Sequence, residues 1–180
     1  MNLDVGLIPK MTPGLTSLGK KYILELNKKG IIIDVSHLSE KTFWDTAKVS
    51  QRPIVATHSC VYSICNHSRN LKDEQIKQIA KTGGVIGICF SSGFLNLNKK
   101  ADVRDVIKHI KYIVDLVGID YVSLGSDFDG VREEKIPKDL NGIKDIGNLK
   151  EGLYAEGFAR EDISKIMGEN WYRVLKQNLL

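Results

Sequence analysis

Apolar residues along the chain alternate between two spacings. Short runs rich in branched side chains occupy 31–35, 54–57, 85–90 and 121–125. Runs of that length, bounded by turn residues, predict buried strands. Between them, apolar positions recur three and four apart. Leu15, Leu18, Tyr22, Ile23 and Leu26 define a helix over about 15–29, with Gly30 as its stop signal. Ser39 predicts the N-cap of a helix running to about Val49, with Thr42 in place of the usual Glu at the third position after it. Asp73–Lys81 carries Ile76 and Ile79 and is broken by Gly83 and Gly84. Val103–Val117 is the clearest amphipathic helix, with Val103, Val106, Ile107, Ile110, Ile113, Val114 and Val117 on one stripe. Helices at Ile146–Ala155 and at about 160–177 close the chain. Residues 1–14, punctuated by Pro9, Pro13 and Gly14, and residues 127–141 read as irregular.

Four apolar strands separated by helices imply an α/β fold with parallel strands and right-handed crossovers. Four βα units make half of a (β/α)8 barrel or a small open sheet. Neither a P-loop nor a dinucleotide fingerprint is present. Three runs deliver a chemically capable side chain just past their C-terminal ends: His37, His58 and Asp127. In parallel sheets that rim is where sites are built. Strand alternation supports the placement of Asp127. With Asp127 toward the barrel axis, Ser123 and Gly125 share its face, and Val122 and Leu124 face the helices. The first strand is less regular. An inward His37 would put Asp34 in the helix layer, so the strand is expected to end near Val35, with the following loop re-aiming His37.

The chain has 180 residues and a formal net charge of +4, with lysines scattered over polar faces. This disfavours a nucleic-acid surface. No segment approaches the ~20 apolar residues that span a bilayer. The first residues lack the basic start and apolar core of a signal peptide. Cys60, Cys65 and Cys89 are odd in number and lack C-x-x-C spacing. They are expected as free thiols in a reducing cytoplasm.

Two histidines on successive strand ends, 21 positions apart, suit a zinc-type ion, because neutral imidazole is a good ligand. A lone strand-end His is more often a hydrogen-bonded structural or surface residue. Two on successive strands, with an Asp on a later one, bring the two readings level. Asp127 is a candidate acid/base or ligand. Arg69 could clamp a carboxylate with its planar fork, or stand free on the surface. His67, in a Ser/Asn-rich loop, and His109, at a solvent-type helical position, are not assigned to the site.

Several stretches together resemble the membrane (renal-type) dipeptidase family in its bacterial branch. They are G-L-T-S-L-G-K-K at 14–21, I-D-V-S-H-L-S at 33–39, P-I-V-A-T-H-S at 53–59, S-R-N at 68–70, G-V-I-G-I at 84–88, G-S-D-F-D-G at 125–130 and G-E-N-W-Y-R-V-L at 168–175. The resemblance runs in order over nearly the whole chain. It implies an amidohydrolase-like (β/α)8 barrel in which two zinc ions, bridged by a carboxylate, hydrolyse dipeptides. It implies that His37 and His58 bind one zinc. Arg69 would contact the terminal carboxylate of the substrate, and Asp127 would pass the proton to the leaving amine. The family's His-x-Asp pair, bridging Glu and further substrate-contacting His have no counterpart here. The resemblance is therefore to the C-terminal half of a dipeptidase, strands five to eight, with residues 1–180 a single partial domain. A half barrel is expected to expose two strand edges and an apolar inner face, and so to self-associate or bind a complementary N-terminal half. The alternatives are a non-catalytic half-barrel and an amidohydrolase-type barrel acting on another substrate.

Overall fold

The computed structural model describes residues 14–98 and 100–179; the irregular reading of the first residues falls largely outside them. The elements follow in the order α1 (Ser17–Lys28), β1 (Ile33–Asp34), α2 (Glu40–Val49), β2 (Ile54–Ser59), α3 (Asp73–Lys81), β3 (Ile86–Ile88), α4 (Ser92–Leu95), α5 (Val103–Val117), β4 (Val122–Leu124), α6 (Ile146–Ala155), α7 (Arg160–Ser164) and α8 (Asn170–Leu179). Among the described residues the strands form one sheet in the order β1-β2-β3-β4, with every neighbouring pair parallel. No helix among the described residues is long and apolar enough to cross a membrane.

Local chemistry sets the helix starts. Thr16 caps α1 by accepting from the Gly19 N–H at 3.0 Å. Ser39 caps α2 by accepting from the Thr42 N–H at 3.2 Å, so Thr42 is no obstacle to the cap. Asp102 caps α5, with Asp105 returning a bond to the Asp102 N–H at 3.1 Å. One segment departs from the expected pattern. The single helix expected over 160–177 is broken at Lys165–Glu169, where Gly168 leaves helical geometry.

That break lets the chain pass around the outer strand. Gly125 N–H donates to Ile88 C=O at 3.1 Å. The carbonyls of Val122 and Leu124 therefore point away from β3, toward the free side of β4. Asn170 Nδ2 donates to the Val122 oxygen at 2.9 Å, and Trp171 Nε1 to the Leu124 oxygen at 2.9 Å. Ser123 Oγ donates to the Ile166 oxygen at 2.6 Å. Beyond the break, α8 lies across the entry ends of the strands. Arg173 donates to Gly83, Gly84 and Asp120 carbonyls, and Arg52 donates to those of Gln177 and Asn178.

The two faces of the sheet are built differently. Ile33, Val35, Ile54, Ala56, Ile86, Ile88 and Val122 join the main core under the helices, and Leu124 packs against it. The alternate residues Ile32, Val55 and Val85 form a separate cluster with Val174 and Trp171 of α8. The expectation of a bare inner face and two open edges is thus corrected in part. Edge carbonyls of β4 are satisfied by side chains, and the lower inner face is roofed by α8. The edge of β1 keeps an apolar groove of about 200 Å³, lined by residues that include Leu15, Tyr22, Leu26, Ile32 and Leu38. Cys60, Cys65 and Cys89 are free, as expected, and all three are buried.

Candidate functional site

The site lies at the C-terminal ends of β1 and β2. β1 ends at Asp34, one residue earlier than expected, and residues 36–37 turn. Asp34 does not enter the helix layer. It lies on the inner face with Ile32, and its carboxylate accepts four hydrogen bonds. Ser36 N–H reaches Oδ1 at 3.0 Å, Ser36 Oγ at 2.7 Å and Thr57 N–H at 3.0 Å, while Thr57 Oγ1 reaches Oδ2 at 2.6 Å. Burial pushes the Asp34 carboxyl up, but these donors outweigh it and hold the group below its ordinary value. The turn fixed by Ser36 re-aims His37, as the strand parity requires.

In β2 a register shift against β3 falls between Ala56 and Ser59, a bulge of the kind that redirects side chains. Here the Thr57 carbonyl is pressed against the next two strands. A Cβ at Gly87 would fall 2.2 Å from it, and one at Gly125 1.9 Å. Only glycine fits at either position. The same bulge presents His58 beside His37. Their Nε2 atoms stand 2.8 Å apart, with ring centroids 4.8 Å apart. The sequence-based pairing of these two residues thus corresponds to direct contact.

Arg69 completes the cluster, with Nη2 3.3 Å from His37 Nε2. Its loop is tied down on both sides. Asn70 Nδ2 donates to the carbonyls of Cys65 and Phe94, each at 2.8 Å, and the guanidinium lies 5.6 Å over the Phe94 ring. The Arg69 N–H donates to His67 Nδ1 at 3.2 Å, and the His67 ring packs on Phe94. His67, Asn70 and Phe94 therefore support Arg69, a role the sequence pattern did not reveal. Burial pushes the His37 pKa down; the Arg69 guanidinium and His58 push it further, while Asp34 and Asp127 pull it back. Burial likewise lowers the pKa of Arg69 against the opposing pull of Cys89, Asp34 and Asp127. Asp127 thus shares an electrostatic neighbourhood with both. It follows β4 in the left-handed region, with φ of 57°, which Asp tolerates better than most residues. Its carbonyl accepts from the N–H groups of Gly130 and Val131.

His109 corrects the sequence reading. It is fully buried rather than solvent-facing. Its Nδ1 accepts from the Val61 N–H at 3.0 Å, and Nε2 lies 3.1 Å from the Leu95 oxygen. It thereby joins the loop after β2 to the end of α4. Burial pushes its pKa down to about 4.

The donor set matches zinc in kind, since two imidazole nitrogens converge on one point. It falls short in number, because zinc sites take three or four protein ligands. Among the described residues no group of three or more His, Cys, Asp or Glu side chains is placed to hold an ion.

The described strands thus form a parallel sheet whose rim carries two touching histidines and an adjacent arginine. The pattern of the membrane dipeptidase family (peptidase family M19) matches residues 6–179, and the chain belongs to that family. An uncharacterized protein from the pqqA 5′ region of Klebsiella pneumoniae is 39% identical over 172 residues, covering 93% of this chain and 62% of that protein. Dipeptidase tcpJ of Claviceps purpurea is 34% identical over 168 residues, covering 91% of this chain and 38% of that one. A crystal structure of a metallo peptidase from Rhodobacter sphaeroides, liganded with a phosphinate mimic of the dipeptide L-Ala-D-Ala, superposes with a TM-score of 0.88 at 33% identity. It covers 97% of this chain and 50% of that one. The chain thus spans about half the length of the relatives it matches, and its fold is about half of a TIM-like barrel.

Proposed function

We propose that this chain supplies the two-histidine, carboxylate-recognising half of a zinc-dependent dipeptidase. One observation carries the reading: His37 and His58 place their Nε2 atoms 2.8 Å apart with the Arg69 guanidinium beside them. In this reading His37 and His58 would be two of the residues that hold zinc, the remainder coming from outside this half. When bound, zinc supplies Lewis acidity and lowers the pKa of water toward neutrality. Arg69 holds the free carboxylate of a dipeptide with its fork of N–H donors. Asp127 delivers the proton to the leaving amine. The phosphinate-mimic complex of the Rhodobacter sphaeroides relative supports a dipeptide as the substrate class.

The test is zinc content by mass spectrometry together with hydrolysis of Ala-D-Ala and several L,L-dipeptides in added zinc. The expected result is zinc-dependent turnover that is lost, with the metal, in His37→Ala and in His58→Ala. Unchanged zinc retention in either variant overturns the ligand assignment. The count of two ligands favours a second reading, a non-catalytic half-barrel that works only with a complementary half. It expects no turnover in excess zinc until that half is added.

A further inference from the structure

We propose that Asp34, acting through Thr57, sets the tautomer of His58 and leaves its Nε2 as an unprotonated donor. The inference rests on His58 being a metal ligand for its purpose, but not for its geometry. Thr57 Oγ1 stands between two groups, 2.6 Å from Asp34 Oδ2 and 2.7 Å from His58 Nδ1. A hydroxyl has one proton to give. An ionised carboxylate only accepts, so that proton goes to Asp34. The contact with His58 must then run the other way, with Nδ1–H donating and Thr57 Oγ1 accepting. Of the two ring nitrogens, Nε2 is left with a lone pair, and without a metal it accepts from His37 Nε2–H across the 2.8 Å contact. The longer approach of Arg69 Nη2, 3.3 Å from that His37 nitrogen, is then a contact between two donors and yields to the shorter bonds at 2.6–2.8 Å.

The other bonds of Asp34 strengthen this assignment. Ser36 Oγ, the remaining hydroxyl near Thr57, donates to Asp34 Oδ1 at 2.7 Å and accepts from the His58 N–H at 3.1 Å. It therefore has no proton to offer Thr57 in exchange. The same carboxylate fixes the turn that carries His37, through Ser36 N–H and Oγ. One side chain thus orients both histidines, His58 through a hydroxyl and His37 through the backbone. Metal-bound histidines commonly donate their second N–H to a carboxylate; here a threonine is interposed. Asp34 and Thr57 are positioning residues, and neither touches substrate in this arrangement.

The experiment uses the uniformly ¹⁵N-labelled chain without metal, at a pH above the histidine titration. Long-range ¹H–¹⁵N correlations of the imidazole rings report which nitrogen carries the proton. In the wild type His58 is expected as the Nδ1–H form. Thr57→Val removes the acceptor and is expected to shift His58 toward Nε2–H, whereas Thr57→Ser keeps the wild-type pattern. His109 serves as an internal standard for the fold. Its Nδ1 accepts from Val61 N–H, and Nε2–H donates to the Leu95 carbonyl, so it must show the opposite tautomer. A second readout is zinc affinity by chelator competition, expected to weaken about ten- to a hundred-fold in Thr57→Val. A wild-type His58 protonated on Nε2 overturns the proposal with no variant needed. So does an unchanged Nδ1–H form in Thr57→Val while the His109 signals stay in place. A wild-type chain with the expected tautomer but no zinc binding leaves the relay standing and removes instead the reading that this half holds zinc without a complementary one.

Discussion

At the scale of single residues, Arg69 and His109 carry the sharpest consequences. If Arg69 grips the terminal carboxylate, Arg69→Ala raises KM for dipeptides in any active form. It leaves the hydrolysis of analogues lacking that carboxylate unchanged. An equal loss on both substrate types, read from steady-state kinetics, removes the role. His109 has the opposite character, being structural and titratable. Its pKa falls to about 4 in the fold, against ~6.5 in an unfolded chain. Between those values the unfolded chain takes up a proton that the fold refuses. The His109 contribution is complete above pH ~6.5 and is lost as the pH falls toward 4, by about 3 kcal/mol in all. Urea unfolding at pH 7 and pH 4.5 should show this loss in the wild type and a smaller one in His109→Asn. Equal pH dependence in the two proteins excludes the histidine as its source. The burial of His109 was legible in principle. It lies three positions after Val106 and four before Ile113, on the stripe that carries the core. Its polarity masked that register, because the partners that satisfy it come from distant segments, the loop after β2 and the end of α4.

At the scale of elements, periodicity located each strand and most helices, since burial on one face leaves a local trace. The departures have non-local causes. β1 ends early because Asp34 finds its donors in Ser36 and Thr57, the second of them on the neighbouring strand. The last helix breaks because the chain must round the edge of β4. The bulge in β2 left no mark in its own residues. Its only sequence signal lay in Gly87 and Gly125, one on each of the next two strands. Adding a methyl group there is expected to cost about 2 kcal/mol or more, because the obstacle is backbone and not a movable side chain. Gly93→Ala is the control, since a Cβ at that position meets nothing within 4 Å. Thermal melts of Gly87→Ala, Gly125→Ala and Gly93→Ala test this. A Gly87→Ala or Gly125→Ala protein as stable as the Gly93→Ala protein means that the bulge is not rigid.

At the scale of the whole molecule, the two sides of the sheet are unequal. The β4 side is closed by Asn170 and Trp171. The β1 side retains its groove, beside which Leu18, Tyr22 and Ile31 are exposed. Association through the β1 side is the expected behaviour, by a second copy or by a complementary half. Sedimentation velocity over a range of concentrations should show it as a rising weight-average mass. A constant monomer mass would show that α8 and the capped edge suffice for a solitary chain. The meeting of His37 and His58 at neighbouring strand ends was legible in outline. What the sequence concealed was the support beneath them, which is made of pairwise contacts between strands.

Thr57 occupies an unusual position in that support. Its carbonyl bears on β3 and β4, and its hydroxyl joins Asp34 of β1 to His58. The spacing of the two imidazoles is therefore tied to the spacing of all four strands. Thermodynamic linkage makes such a tie reciprocal. To whatever degree a strand docked at the β1 edge draws the imidazoles toward a geometry that an ion prefers, a bound ion tightens the docking by the same factor. Ion occupancy and sheet closure then become two readouts of a single equilibrium, and a titration of either one reports on both.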